Sequence, residues 1–240
     1  MKRAFLSLTL VLLTVIAVAI IHKNTIDDDI VSYTVDPRIQ DLRFYWKDDK
    51  GQPLSSIQHL KDLLAEQHLK LVFATNGGMF KPDQSPVGLF IRQQVAETPL
   101  DTTSGNGNFY LKPNGVLYIT KERKAVICTT SEFKYSKQIG YATQSGPMLL
   151  INGIIHPAFK KGSANVNVRN GVGLLPDGRL VFAMSKSGIN FYDFADYFRR
   201  LDCKQALYLD GFVSRTYLPA QNWIQTDGNF GVIIGVSEPE

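Results

Sequence analysis

The sequence predicts an α+β fold in which a β-rich mixed sheet with hairpins and two main helices form a single domain over residues 30–240. Two apolar stripes at helical spacing predict the helices, and a short apolar run typical of a buried strand follows each stripe directly. Glycine-containing turn dipeptides separate runs of β-branched and aromatic residues, which indicates hairpins. Hydrophobic residues make up 44% of the 240 positions and charged residues 20%, so we expect one sizeable packed core.

The first part of the domain is predicted to contain a helix between strands. Apolar or alternating runs predict strands at residues 30–35, 42–46 and 69–74. Ser55 or Ser56 is a suitable cap for a helix that ends near Gln67, since apolar side chains recur there every three or four residues.

The rest of the domain is predicted to be rich in hairpins, with one more helix. Turn signals predict hairpins at Asn114-Gly115, Asn152-Gly153 and Asp177-Gly178. Asn190 is a plausible cap for the second helix, whose apolar stripe extends to Leu201. Further strands are predicted at residues 206–209 and 230–236.

The N-terminus carries the features of an export signal. Lys2 and Arg3 precede an uncharged, apolar stretch that ends at residue 21. Residues 1–21 are therefore predicted to be either a signal peptide or an N-terminal membrane anchor, and both alternatives stay open. The basic residues in front favour translocation of the rest of the chain, so we expect a periplasmic or membrane-anchored domain outside the cytoplasm. Residues 22–29 form a polar connector.

Charge and cysteine content narrow the classes of partner. The formal net charge is +4, and Lys2 and Arg3 supply two of these charges, so nucleic-acid binding is not expected. Contact with a membrane is expected only through the N-terminal segment. Cys128 and Cys203 are either a disulfide pair or two separate thiols, and neither has the neighbours of a zinc site.

A predicted buried strand ends in a group of polar residues. Asp210-Gly211 follows the apolar run 206–209, and Ser214 and Arg215 come shortly after. An acid, a hydroxyl and a cation at a strand end are typical of an active-site edge, although Asp210 could also simply cap a turn. Arg169 stands before another predicted buried strand, where it can bind an anion or lie solvated at the edge of a sheet.

Two other glycine-containing segments are candidates for ligand contact. Asn76 and the pair Gly77 and Gly78 follow the strand predicted at residues 69–74, so backbone amides can approach a ligand there. Ser145 and Gly146 lie in a stiff polar segment ahead of the second predicted hairpin. An ordinary glycine turn is the alternative for the first segment.

The sequence lacks the motifs of several classes of enzyme. The sequence contains no G-x-S-x-G elbow, no Walker loop and no dinucleotide fingerprint, and its four histidines are scattered. Acids, amides, arginines and glycine loops remain, which suit hydrolysis of an acetal-type bond or recognition of a phosphate-bearing substrate. No cofactor is expected, and calcium bound through aspartate side chains stays open.

Four motifs occur in the order and spacing of one known family. They are Asn76-Gly-Gly-Met-Phe80, Gln144-Ser-Gly-Pro-Met148, Arg169 to Gly173, and Cys203 through Leu209-Asp210-Gly211 to Ser214. Over roughly residues 71–218 the chain resembles the phosphodiester glycosidase family. This resemblance implies a mixed α+β catalytic domain that cleaves the bond between an anomeric carbon and a phosphodiester oxygen.

The resemblance also suggests roles for individual residues. The catalytic candidates are Asp210, Arg169, Asn76 and Ser214. The candidate substrate-binding residues are Gly77, Gly78, Ser145, Gly146, Gly211 and Arg215. Asp210 would act as acid/base or as a charge-stabilising carboxylate, Arg169 would bind the phosphate, and Asn76 and Ser214 would hydrogen-bond sugar or phosphate oxygens. A second carboxylate is not assigned by the motifs, and Asp83 and Asp101 are its candidates.

One position departs from the family pattern. The family usually has a second glycine after Asp-Gly, whereas this chain has Phe212. The export signal and the resemblance together predict an exported hydrolase of a sugar 1-phosphodiester or a related envelope glycan. The alternative is a non-catalytic glycan- or phosphate-binding envelope protein, in which Phe212 provides an aromatic platform for a sugar ring.

Overall fold

Antiparallel sheets dominate the architecture. The computed structural model describes residues 28–211 and 213–240. In this part of the chain, strands numbered in chain order form three sheets, and two α-helices pack on them in one compact domain. The predicted α+β class is confirmed. The strand pairs are antiparallel, so the strands form three antiparallel sheets rather than one mixed sheet, because hairpins and returning strands replace parallel crossovers.

The first sheet carries the strand that ends in Asp210. Its spatial order is β1 (Ile30–Val35), β12 (Leu180–Ser185), β11 (Asn170–Leu174), β13 (Gln205–Asp210), β9 (Met148–Ile151) and β10 (Ile154–Ile155). Helix α2 (Phe191–Arg200) covers one face of it, and Phe194 and Phe198 are fully buried there. The Asn190 side chain accepts a hydrogen bond from the Asp193 amide, as the sequence predicts for the helix cap.

The second sheet carries the strand that ends in Asn76. Its spatial order is β15 (Trp223–Ile224), β14 (Thr216–Leu218), β3 (Leu69–Asn76), β16 (Ile233–Pro239) and β2 (Asp41–Tyr45). Helix α1 (Ile57–Glu66) packs on this sheet through Ile57, Leu60 and Leu64. Of the two predicted caps, Ser56 is the one that accepts a hydrogen bond from the backbone of the first turn.

The third sheet completes the central core. Its spatial order is β5 (Val95–Thr98), β4 (Phe90–Arg92), β8 (Ile139–Ser145), β6 (Gly115–Thr120) and β7 (Ala125–Thr129). One buried cluster joins all three sheets, with Phe182 from the first, Phe73 from the second and Leu117 from the third. The three sheets therefore share one hydrophobic core.

Two of the three predicted hairpins are confirmed. Strands β9 and β10 turn at Asn152-Gly153, and β11 and β12 turn around Asp177-Gly178. The hairpin predicted at Asn114-Gly115 is wrong, because Gly115 starts β6 and pairs with Thr129 of β7. A β-carbon at Gly115 would lie 2.3 Å from the sulfur of Met148, so this glycine permits close packing instead of a turn.

The predictions for residues 1–21, and those for the connector up to residue 27, lie outside the described residues. Within the described part of the chain, no helix is long and apolar enough to span a membrane. Cys128 and Cys203 are both free thiols, which answers the question of pairing that the sequence left open.

Candidate active site

The candidate site lies where strand ends from all three sheets meet. Asn76 ends β3 of the second sheet, and Asp210 ends β13 of the first. Ser145 ends β8 of the third sheet, and its hydroxyl donates a 2.6 Å hydrogen bond to the carbonyl of Leu209. The structure therefore brings together three of the segments that the sequence singled out.

Asn170, which was not among the residues predicted from the sequence, joins the strand ends at Asn76 and Asp210. Its side-chain Nδ2 donates to the Oδ1 of Asn76 at 3.1 Å, to the carbonyl of Asn76 at 2.9 Å and to the hydroxyl of Thr75 at 3.2 Å. Its Oδ1 accepts from the backbone N–H of Asp210 at 2.8 Å. One side chain, 1% exposed, thus fixes both Asn76 and Asp210. The available signal was its position in the motif that begins at Arg169.

Asp210 has the perturbed acidity expected of a functional carboxyl. Burial raises the pKa of Asp210 to about 6, and the hydrogen bond from the Gly211 amide partly opposes that rise. This amide donates to Oδ1 at 2.6 Å. The Asp210 carboxyl can therefore exchange a proton near neutral pH, which suits acid–base chemistry.

Asn76 presents a buried donor without a partner. Its side chain is fully buried, and its Oδ1 accepts from Asn170 and from the backbone N–H of Arg215 at 3.0 Å. Among the described residues, its Nδ2 has no hydrogen-bond acceptor. Because a buried unsatisfied donor is costly, a ligand oxygen is a suitable partner for this amide.

Arg169 is a buried cation without a carboxylate partner among the described residues. It is 1% exposed, so the alternative of a solvated edge residue is wrong. Its Nε donates to the carbonyl of Ile189 at 2.8 Å, and its Nη2 donates to the carbonyl and side-chain oxygens of Asn165 at 3.0 and 3.3 Å. The guanidinium carbon lies 3.5 Å from the ring centroid of Phe191. These neutral contacts orient the cation and leave its charge uncompensated, which favours an anion nearby.

Tyr208 connects Arg169 with Gly211, and it too was missed. Its hydroxyl accepts from Nη1 of Arg169 at 3.4 Å. A β-carbon at Gly211 would lie 1.8 Å from that hydroxyl, so only glycine leaves room for it. The two-residue alternation of a strand places Tyr208 and Asp210 on the same face of β13, and this was the signal that could have revealed it. Burial raises the pKa of Tyr208 to about 12, so the phenol stays protonated at neutral pH.

Ser214 and Arg215 shape the backbone around Asp210. The Ser214 hydroxyl donates to the carbonyl of Asp210 at 3.0 Å. The Arg215 guanidinium bonds to Asp227 at 2.8 Å and to the carbonyl of Ser214, while its backbone amide contacts Asn76. The charged group of Arg215 is thus engaged by an exposed carboxylate.

The other predicted glycines lie in tightly packed backbone. A β-carbon at Gly77 would lie 2.7 Å from the side chain of Ile234, and one at Gly146 would lie 2.6 Å from the β-carbon of Asn114. Gly78 lies close to Thr143, whose hydroxyl donates to the carbonyl of Gly77 at 3.1 Å. Gly78 therefore permits the close approach of the second and third sheets, whereas Gly77 and Gly146 permit close packing at the ends of the second and the third sheet.

A cleft of about 590 Å³ lies next to the loop that follows Asn76. Its lining includes Met79, Phe80, Asp101 and Tyr110. The buried side chain of Gln144 holds one wall, because it accepts from the Asp101 amide at 2.9 Å and donates to the Asp101 carbonyl at 2.7 Å. Of the two candidates for a second carboxylate, Asp101 lines this cleft.

The other candidate, Asp83, is exposed and does not line that cleft. Its carboxylate accepts from the amide and hydroxyl of Ser85 within a turn. As for metals, the described residues contain no group of three or more histidine, cysteine or acidic side chains that could hold an ion.

Within the described residues, the fold and the site define an α+β domain with a buried carboxyl, an amide donor that has no acceptor and a guanidinium that has no carboxylate partner around its strand ends. The sequence model of the phosphodiester glycosidase family matches residues 69–236. The chain belongs to this family, as its motifs indicated.

Comparison with individual proteins agrees with this assignment. The chain is 36% identical over 220 residues to the uncharacterized protein YigE of Escherichia coli (strain K12), a match that covers 91% of this chain and 85% of YigE. Its fold is similar to the catalytic domain of zebrafish N-acetylglucosamine-1-phosphodiester alpha-N-acetylglucosaminidase, solved auto-inhibited by its pro-peptide. The TM-score is 0.59 with 14% identity, over 88% of this chain and 84% of that domain. A hypothetical protein from Synechocystis has a TM-score of 0.56 and 13% identity, over 87% of this chain and 59% of its own.

Proposed function

We propose that the protein is an exported hydrolase that cleaves the glycosidic bond between an anomeric carbon and a phosphodiester oxygen. The observation that carries this proposal is the buried Asp210 carboxyl, whose pKa is about 6, at a strand end that Asn170 links to Asn76, whose side-chain amide has no acceptor among the described residues. Membership of the phosphodiester glycosidase family supports the choice of bond. The substrate would be a sugar 1-phosphodiester or a related envelope glycan.

The chemistry requires little from a general acid. In the proposed reaction the bond from the anomeric carbon to oxygen breaks, and water supplies a hydroxyl to the carbon and a proton to the released phosphomonoester. Because a phosphate is already a good leaving group, one carboxylate can be sufficient. Ionised Asp210 would either stabilise the positive charge that develops on the sugar or accept the proton of the attacking water.

The neighbouring groups have complementary roles. The Nδ2 of Asn76 would donate to a sugar or phosphate oxygen, which would satisfy its open hydrogen bond. Arg169 would supply the positive charge for the phosphate. Asn170 and Ser214 would keep the backbone of Asp210 in place through the 2.8 and 3.0 Å contacts described above. If a second carboxylate takes part, Asp101 is the better candidate because it lines the adjacent cleft.

A turnover assay tests this function directly. The full-length protein would be incubated with a panel of sugar 1-phosphodiesters, and release of reducing sugar would be followed. Wild-type protein should release sugar, whereas Asp210→Asn should release none. Asp177→Asn is the matched control, because that aspartate lies in an exposed turn and pairs with Arg179. An active Asp210→Asn variant would refute the role of this carboxyl.

A binding protein without turnover is the second candidate. The substitution of Phe212 for the usual second glycine favours it, since an aromatic side chain can stack against a sugar ring. Thermal protection by a phosphodiester, without sugar release and retained in Asp210→Asn, would support binding alone.

Export is the second part of the proposal. Residues 1–21 would direct the domain across the membrane and then be cleaved or remain as its anchor. Cell fractionation combined with the mass of the mature chain tests this step. A full-length chain in the cytoplasmic fraction would contradict it.

A further inference from the structure

A cavity of about 210 Å³ lies beside the buried guanidinium of Arg169. Its lining includes Lys160, Ser163, Asn165 and Phe191. Two of these residues contact Arg169 directly, since Nη2 donates to Asn165 and the guanidinium lies on the ring of Phe191. Asn165 is exposed, so the residue that accepts from Nη2 lies at the surface of the domain.

The charges around this cavity favour an anion. Among the described residues, no acidic side chain lines it, and Lys160 adds a positive charge to that of Arg169. The cleft of about 590 Å³ instead has Asp101 facing it together with Lys81. A third cavity, of about 420 Å³ beside helix α1, has four acidic residues in its lining. Of these three cavities, the one beside Arg169 therefore suits a phosphate best.

A chain of contacts links this cavity to Asp210. Arg169 contacts the hydroxyl of Tyr208, and that hydroxyl packs against the backbone of Gly211. Gly211 in turn donates its amide hydrogen to the Asp210 carboxylate. An anion held at Arg169 is thus linked to Asp210 through the hydroxyl of Tyr208 and the backbone of Gly211.

We propose that the cavity formed by Lys160, Ser163 and Asn165 is the subsite for the phosphodiester group. The anion displaces the oxygens of Asn165 from Nη2 of Arg169, and Lys160 and the hydroxyl of Ser163 hold it from the solvent side. The identification of this anion as the substrate's phosphate rests on the proposed function.

Two adjacent lysines provide a matched test. Lys160 lines the cavity and Lys161 does not, yet both are exposed and carry the same charge. Full-length wild type, Lys160→Gln, Lys161→Gln and Ser163→Ala would each be titrated with inorganic phosphate in a calorimeter at constant ionic strength. We expect about tenfold weaker binding in Lys160→Gln, the effect of one lost hydrogen bond to a charged group. Ser163→Ala should also bind more weakly, and Lys161→Gln should change affinity less than about twofold because its charge is screened.

Several outcomes would overturn the subsite. Equal losses of phosphate affinity in the two lysine variants would indicate a general attraction of anions to the surface. Unchanged affinity in both Lys160→Gln and Ser163→Ala would place the phosphate elsewhere. Sugar release by a wild type that binds no phosphate would overturn the subsite and leave the hydrolase function standing. Phosphate binding with the expected pattern, but with no diester cleaved, would keep the subsite and refute the hydrolase.

Discussion

Replacing Asp210 with asparagine should make the protein more stable at neutral pH. Burial raises the pKa of Asp210 from 3.8 to about 6, so ionisation of this carboxyl destabilises the folded state. One pKa unit corresponds to about 1.4 kcal/mol, and the shift of roughly two units therefore costs about 3 kcal/mol of folding free energy above pH 6. Asparagine keeps the shape and the acceptor for the Gly211 amide, but it cannot ionise. Asp210→Asn should therefore raise the free energy of unfolding by up to about 3 kcal/mol above pH 6.

The stability gained by Asp210→Asn should depend on pH. As the pH falls through 6, the folded protein takes up a proton at Asp210 before the unfolded chain does, so the cost disappears by about pH 4. Urea denaturation at pH 8, 6 and 4 measures the free energy of unfolding of both proteins. Asp177→Asn is again the control, since contacts with Arg179 lower the pKa of that exposed carboxyl. A variant that is no more stable than wild type at pH 8, or equally stabilised at pH 4, would refute the reasoning.

Other predictions concern the same region and the two thiols. If Asp210 acts ionised, kcat/KM for a cleaved diester should rise as the pH increases through about 6, and a flat profile from pH 5 to 8 would argue against this role. Gly211→Ala should destabilise the fold because its β-carbon would meet the Tyr208 hydroxyl at 1.8 Å; the cost measured in urea should fall in a Tyr208→Phe background, and an unchanged cost would disprove the contact. Asn170→Ala should lower the free energy of unfolding by roughly 2–4 kcal/mol, since it leaves buried groups on two strands unpaired, and a loss below about 1 kcal/mol would contradict that. Burial raises the pKa of the two cysteine thiols to about 11 and about 12, so iodoacetamide at pH 8 should label them slowly in the folded protein and fully after unfolding without reductant; a thiol labelled only after reduction would reveal a disulfide.

Elements whose structure is decided locally were predictable from the sequence. Both helices begin at a predicted cap, Ser56 and Asn190, because capping and apolar spacing act within one turn of chain. The hairpin at Asn114-Gly115 was wrong for a reason outside its own sequence. The carbonyl of Asn114 accepts from the amide of Thr130, and Gly115 packs under Met148, so contacts from distant strands override the turn signal.

The candidate site was predictable only in part. Asn76, Arg169 and Asp210 could be selected because each stands beside a predicted strand and belongs to a family motif. Asn170 and Tyr208 were missed, since their roles depend on which strands become neighbours and on which groups then face each other.

The direction of the Arg215 guanidinium could not be predicted for a similar reason. It is decided by Asp227, which lies beyond strands β14 and β15 in the sequence.

Because Asn170 links residues that are far apart in the sequence, no short segment of the chain contains the site. Positions 76, 170 and 210 are separated by 94 and 40 residues, and they meet only when the first and second sheets have assembled. Any activity of this site should therefore appear late in refolding, together with the last native contacts. It would also be absent from each half of a chain cut in the exposed loop at residues 102–107, and would return only when the two halves are combined. Function in this protein would then serve as a direct indicator that the whole domain has assembled.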